Sequence, residues 1–129
     1  MGYRSDVAYT IRFEDDHDKK EEQTFYTFLA EAKSKPEYAL ALREVTIDEK
    51  KRQINFFTTD TKWYPSYPEV DSHEALWALA TEYANQDDCC IGGAYAQIGE
   101  DDTDIKTEYI GNSAYDWVSV ERKIIMDWD

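Results

Sequence analysis

Cysteine is nearly missing from this chain: the only two, Cys89 and Cys90, are neighbours. Adjacent cysteines rarely satisfy the Cα separation and dihedral that a disulfide requires. They also lack the two-residue spacer of a thioredoxin-type redox pair. The pattern reads as a reduced, intracellular protein. Long apolar runs are missing too. No stretch approaches the roughly 18 apolar residues of a membrane span, and no basic segment leads into an apolar run near Met1, so neither a span nor a signal peptide is expected. Glycine and proline are scarce, at 5 and 3 residues, which excludes a flexible linker or a low-complexity chain. Phosphate-binding signatures are absent: Gly92 and Gly93 have the spacing of neither a P-loop nor a dinucleotide fingerprint. They read instead as a place where the backbone bends or a neighbour comes close.

The most informative scarcity concerns positive charge. From Trp63 to Ile105 there is no Lys or Arg, while Glu69, Asp71, Glu74, Glu82, Asp87, Asp88, Glu100, Asp101, Asp102 and Asp104 contribute −10 of the formal −14. The flanks are nearly balanced, with 11 basic and 13 acidic groups before Trp63 and 3 and 5 after Ile105. Such an imbalance repels nucleic-acid phosphate and anionic lipid and attracts a basic surface. Duplex DNA carries one charge per about 1.7 Å, so ten carboxylates match roughly 17 Å of duplex. A domain of this size has a radius of gyration near 14 Å. A DNA-like density therefore requires these groups to share one face. The plainer account is solubility, together with acidic residues favouring the start of a helix.

What is present is apolar and aromatic enough to fold. Hydrophobic residues make up 42% and aromatics 15% of 129 residues, which excludes a disordered acidic tail and fits one domain. Val7, Tyr9, Ile11 and Phe13 alternate with Ala8, Thr10 and Arg12, predicting a strand with one wet side. Asp18 and Glu21 have capping-box spacing, and Phe25, Phe28, Leu29 and Ala32 recur at helical spacing until Pro36. Residues 38–42 fit either a helical turn or a strand start. Residues 43–48 and Gln53 to Thr59 predict a hairpin. Asp71 and Glu74 again suggest a cap, followed by the stripe Ala75, Leu76, Leu79, Ala80 and Tyr83 with Trp77 at its margin. Cys90 to Ile98 predicts a strand, and residues 105–110 with 115–126 a last hairpin. The expected fold is α+β: an antiparallel sheet with two helices on one face, a split βαβ (ferredoxin-like) core, and a C-terminal β-hairpin.

Candidate chemistry is thin. The turns Glu14–Asp18 and Glu100–Asp104 offer hard oxygen ligands for Ca²⁺ or Mg²⁺, but neither has EF-hand spacing. In the split βαβ plan they sit at opposite ends of the sheet, roughly 20 Å apart. Solvated loops are expected, with no metal and no cofactor. His17 and His73 each lie beside a helix start among acidic residues. A His–carboxylate pair can act as a general base, but no nucleophile motif accompanies either one. Exposed imidazoles in first helical turns are expected, and no catalytic residue is assigned. Phe56, Phe57, Trp63, Tyr64 and Tyr67 form an aromatic run. Stacking on RNA would need a basic surface and an RNP1 pattern, and both are missing. Trp63, Tyr64 and Tyr67 are therefore expected either in the core or as anchors of a protein interface.

The opening Met1-Gly2-Tyr3-Arg4-Ser5-Asp6-Val7, the stretch Lys62-Trp63-Tyr64 and the run Ile98 to Ile105 resemble a group of small bacteriophage and prophage proteins with no established activity. The resemblance covers about a sixth of the chain and implies a phage accessory protein in the cytoplasm of a bacterial host. The resulting expectation is a non-enzymatic protein, monomer or homodimer, that binds a basic host protein, including as a DNA-mimic inhibitor of a nucleic-acid or defence system. Its interaction surface would comprise Glu69, Glu74, Glu82, Asp87, Asp88, Glu100, Asp101, Asp102 and Asp104 with Trp63, Tyr64 and Tyr67. The alternative is a small-ligand or nucleotide-binding, or self-assembling, module without catalysis.

Overall fold

A computed structural model describes residues 4–14, 21–64, 66–86, 91–99, 105–110, 118–120 and 124–126. They form an α+β fold around a five-stranded antiparallel sheet. The sheet contains β1 (Arg4–Phe13), β2 (Thr46–Asp48), β3 (Gln53–Lys62), β4 (Ile91–Ile98) and β5 (Ile105–Ile110), in the order β2-β3-β1-β4-β5. The helices are α1 (Glu21–Ser34), α2 (Ala39–Glu44) and α3 (Pro68–Gln86), with a 3-10 turn at Pro36–Tyr38. Two short strands, β6 (Val118–Val120) and β7 (Ile124–Met126), pair antiparallel with each other.

The central strand β1 explains why the sheet is thick. Its register places Tyr9 opposite both Phe56 and Tyr95, and Ile11 opposite Ile54 and Gly93. Directly opposed residues share a face, and this face meets the helices. Phe13 packs edge-on against Phe25 and at a tilt against Phe28 of α1, while Tyr9 meets His73 and Trp77 of α3. The other face of β1 is not wet, contrary to its alternation: Ala8, Thr10 and Arg12 are buried as well. The reason is tertiary. The β6–β7 pair contacts β1 and β4, both interior strands. With the helices on one face, the pair must cover the opposite one. Ala8, Ala94 and Ala96 keep that face low enough for close approach. Polar groups there satisfy one another: the Thr10 hydroxyl donates to Asn55 Oδ1, Arg12 Nε donates to Thr10 Oγ1 at 3.2 Å, and Asn55 Nδ2 donates to Gln53 Oε1 at 3.3 Å.

Several boundaries follow their local chemistry. Pro36 ends α1 at Ser34, whose hydroxyl donates to the Glu31 carbonyl at 2.7 Å. The β2–β3 hairpin forms with Ile47 opposite Ile54, and its turn is held by Lys51 N–H donating to Asp48 Oδ1 at 3.0 Å. Other expectations fail. The segment from Tyr38 resolves into the 3-10 turn and α2, so Arg43 and Glu44 are helical and β2 begins only at Thr46. Three helices replace the expected two. α3 begins at Pro68, before the Asp71–Glu74 signal. Proline is suited to the first helical position because its missing N–H would be unbonded there anyway, and Asp71 N–H donates the first helical bond to the Tyr67 carbonyl at 3.0 Å. Finally, β5 pairs with β4, with Ala94 opposite Tyr109 and Ile98 opposite Ile105, and among the described residues β6 and β7 pair with each other and not with β5. The expected cap Asp18 and, apart from Glu14, the two acidic turns lie outside the described residues.

At Gly93 the Trp77 ring of α3 comes close to the sheet. A Cβ there would lie 3.0 Å from Trp77 Cη2, 3.1 Å from Trp77 Cζ3 and 3.2 Å from Ile110 Cδ1. In Gly93→Ala the reduced entropy of the unfolded chain favours folding by about 0.4–1 kcal/mol. Overpacking costs about 1–3 kcal/mol and prevails. Equilibrium denaturation should show a net loss near 1 kcal/mol; an increase in stability would contradict this packing.

Candidate functional site: the outer face of α3 and the cleft beside it

α3 carries no Lys or Arg and four carboxylates. Asp71, Glu74, Ala78, Glu82 and Asn85 follow one another at spacings of 3 or 4, so they line one stripe, and all five are exposed. Glu69, two residues before Asp71, is exposed on a different side of the first turn, where its charge and that of Asp71 favour the positive helix end. Among the described residues none of these four carboxylates takes part in an ion pair. Asp87, Asp88, Glu100, Asp101, Asp102 and Asp104 lie outside the described residues, as do His17, Cys89 and Cys90. The structure thus places Glu69, Glu74 and Glu82 of the expected surface on one helix and leaves its other acidic members undescribed.

The aromatic anchors divide. Trp63 is core, only 8% exposed, with its ring 5.6 Å from Phe56 and 5.4 Å from His73. Its ring belongs to the buried cluster. Its indole N–H has no acceptor within hydrogen-bond range among the described residues, though it lies near enough to Tyr95 to act on its hydroxyl. Tyr64 and Tyr67 are half-buried and pack edge to face at 5.3 Å. Their mutual packing and the Tyr67 N–H bond to the Tyr64 carbonyl at 2.9 Å set the approach to α3. Of the strand aromatics, Phe56 is buried and Phe57, on the opposite face, is exposed.

His73 is the largest departure from expectation. It is 1% exposed rather than a surface imidazole. Its Nε2 lies 2.8 Å from Glu44 Oε1 and its Nδ1 2.6 Å from the Tyr9 hydroxyl. A carboxylate can only accept, so Nε2–H donates to Glu44 and Nδ1 accepts from Tyr9. The Phe56 ring packs against the imidazole at a tilt of 36°, with 4.1 Å between ring centroids. Burial pushes the imidazole below its ordinary value of 6.5, against the opposing pull of Glu44 and Glu69. Burial likewise raises Tyr9 well above 10, helped by Tyr95 and Glu44. Both imidazole nitrogens are engaged within the fold, Nε2 with Glu44 and Nδ1 with Tyr9. The Ser72 hydroxyl also accepts from Ala41 N–H at 2.9 Å, capping α2 from a neighbouring helix. Ser72 and His73 therefore tie α3 to α2 and β1 and fix which side of α3 faces outward.

That orientation creates a cleft of about 240 Å³ lined by Glu74, Trp77, Tyr95, Lys106 and Glu108. Trp77 follows Glu74 by one helical turn, and Tyr95 pairs across strands with Glu108. The two rings are 5.7 Å apart and inclined at 55°. On the edge strand β5, Lys106 and Glu108 remain exposed on the helix side of the sheet. Lys106 Nζ lies 5.7 Å from the Tyr95 ring centroid and 3.9 Å from Glu108 Oε1. Burial pushes the Tyr95 phenol up to about 12; Glu74 and Glu108 add to the rise and the Trp63 indole opposes it. None of Trp77, Tyr95, Lys106 and Glu108 was identifiable as a site residue from sequence. The usable signal was Gly93, a strand glycine where a large ring comes close.

Among the described residues there is no group of three His, Cys, Asp or Glu side chains able to hold a metal ion, and no helix long and apolar enough to cross a membrane. No family model, curated protein or solved structure matches the chain.

Proposed function

We propose that this chain is a phage-type accessory protein that binds a basic host protein through the outer stripe of α3. The observation that carries this reading is the exposed stripe of Asp71, Glu74 and Glu82, with Glu69 exposed on another side of the first turn, on a helix without a single Lys or Arg. Such a stripe steers a basic surface and gains from its charges only when a partner arrives. Imitation of DNA is the less favoured form. Glu69 to Glu82 spans roughly 20 Å at 1.5 Å per residue, over which duplex DNA carries about 12 charges, whereas α3 supplies four. A basic protein groove that also accommodates side chains fits this lower density better. For the scaffold, we read β1 to β4 with α1 and α3 as a split βαβ unit; the sheet order β2-β3-β1-β4 supports this reading, with β5 added at one edge.

The test is affinity capture from bacterial host lysate with the native chain and with Glu69→Gln/Asp71→Asn/Glu82→Gln, at low and high salt. These positions are exposed, so the fold should survive. The native chain should retain a basic protein that the triple variant loses. Retention should also fall steeply as the screening length shortens from about 30 Å at 0.01 M to about 3 Å at 1 M salt. Equal capture by both chains would end the proposal.

A further inference from the structure

The cleft beside α3 has features that the acidic stripe does not require. At about 240 Å³ it is below the roughly 300–1,000 Å³ of sites for drug-sized ligands and cofactors. It suits one side chain. Its floor is aromatic: Tyr95 and Trp77 set their rings at an angle, and the absence of a side chain at Gly93 lets Trp77 lie against the sheet. Its rim carries two carboxylates from different elements, Glu74 from α3 and Glu108 from β5. Aromatic faces bounded by carboxylates favour a cation with an apolar stem. A cation of that kind already occupies the floor, since the Lys106 ammonium stands over the Tyr95 ring.

We propose that this cleft is a binding site for one lysine side chain of a protein partner, and that Lys106 occupies the same ring face when the partner is absent. The incoming ammonium takes the place of Lys106 over Tyr95, its methylene stem lies along Trp77, and Glu74 and Glu108 flank the charge. Lys106 gives way easily. Its side chain is 55% exposed on an edge strand, and its 3.9 Å approach to Glu108 is a loose, solvent-screened pair. Glu74, Glu108 and Lys106 together carry one net negative charge; with Lys106 turned out to solvent, two carboxylates face the single incoming cation. The cleft therefore selects the position of one lysine, whereas the stripe attracts positive charge without regard to position. This inference rests on the reading of the chain as a binder of a basic protein and adds a register-setting site to it.

The experiment is an NMR titration of the intact chain with a short Gly/Ser peptide bearing one central lysine, beside the same peptide with norleucine. The lysine peptide should shift the Trp77 indole N–H and the Gly93 and Lys106 amides; the norleucine peptide should not. Free butylammonium provides a comparison: weaker binding than the peptide supports a protein side chain as the occupant, and tighter binding overturns that assignment in favour of a small amine. Lys106→Ala removes the internal competitor and should tighten the lysine peptide roughly threefold, the scale of an exposed cation–π contact. Glu74→Gln/Glu108→Gln should weaken it about tenfold, the scale of two partly screened ion pairs. All three substitutions are at exposed positions. Shifts confined to other residues, or unchanged affinity in both variants, would refute the site. The two readings fail separately. Loss of the lysate partner in the Glu69/Asp71/Glu82 variant without any lysine-peptide response removes the cleft and leaves the stripe. A lysine response with a partner insensitive to that variant removes the stripe.

Discussion

Replacing His73 with alanine should destabilise the protein by about 3–5 kcal/mol, a large share of the 5–15 kcal/mol typical of a small domain. Two physical effects combine. The first is the cavity left where the imidazole packs against Phe56, Trp63 and Tyr9; the surroundings are rigid aromatic rings that collapse poorly into the gap. The second is the Tyr9 hydroxyl, which loses its acceptor in a fully buried position, at about 1–3 kcal/mol. Tyr9→Phe alone should cost about 1–3 kcal/mol, because most of the packing survives but the buried His73 Nδ1 loses its donor. The double variant should lose less than the sum of the two, since each substitution removes the same bond. Urea denaturation of the four chains supplies the cycle. A cost below about 1 kcal/mol for His73→Ala would mean the ring is not part of the core.

The second large effect is acid sensitivity. The folded imidazole has its pKa depressed below 6.5 by burial. Between that lowered value and 6.5 the unfolded chain binds more protons than the folded one, so stability rises with pH across this window. Stability should be level above about pH 6.5, fall as pH drops below it, and stop falling from this cause once pH passes the folded value. Relief of self-repulsion between carboxylates acts in the opposite direction, but it begins nearer pH 4, where Asp and Glu titrate. The two effects are therefore separable. His73→Gln should be less stable at every pH yet flat through the histidine window. Glu44→Gln should deepen the acid loss, because Glu44 partly offsets the burial by holding the imidazolium. A native chain as stable at pH 5 as at pH 8 would contradict a neutral buried His73.

The burial of His73 and its two hydrogen bonds give it a part in the architecture. Its bonds to Tyr9 and Glu44 connect β1, α2 and α3, and the connection sets which stripe of α3 points outward. Binding and stability are thereby coupled through one residue. Acid that loosens His73 should also disturb the stripe of Asp71, Glu74 and Glu82.

Much of the local structure was legible from spacing alone. The alternation in β1, the stop at Pro36, the hairpin around Asp48 to Arg52 and the apolar stripe of α3 are all set by neighbours within four residues. The same short range explains the failures. Ala8, Thr10 and Arg12 look solvent-facing next to Val7 and Tyr9, but they are buried because the β6–β7 pair, more than a hundred residues later, lies over β1 and β4. Trp63 reads as equally fit for core or interface, and only the approach of Phe56 and His73 decides for the core. His73 has acidic neighbours in the chain, yet its partners are Tyr9, 64 positions earlier, and Glu44, 29 positions earlier.

The α+β class, the negative face of α3 and the lack of any recognisable catalytic motif were already set in the order of the amino acids, because composition and periodicity express those properties directly. What the charges stand beside was settled by packing. Glu74 and Trp77 come from a helix, Tyr95 from an interior strand, and Lys106 and Glu108 from the edge strand. Helix and sheet spacing carry no information about which side chains will converge across such separations; the seating of the sheet against α3 brings them together.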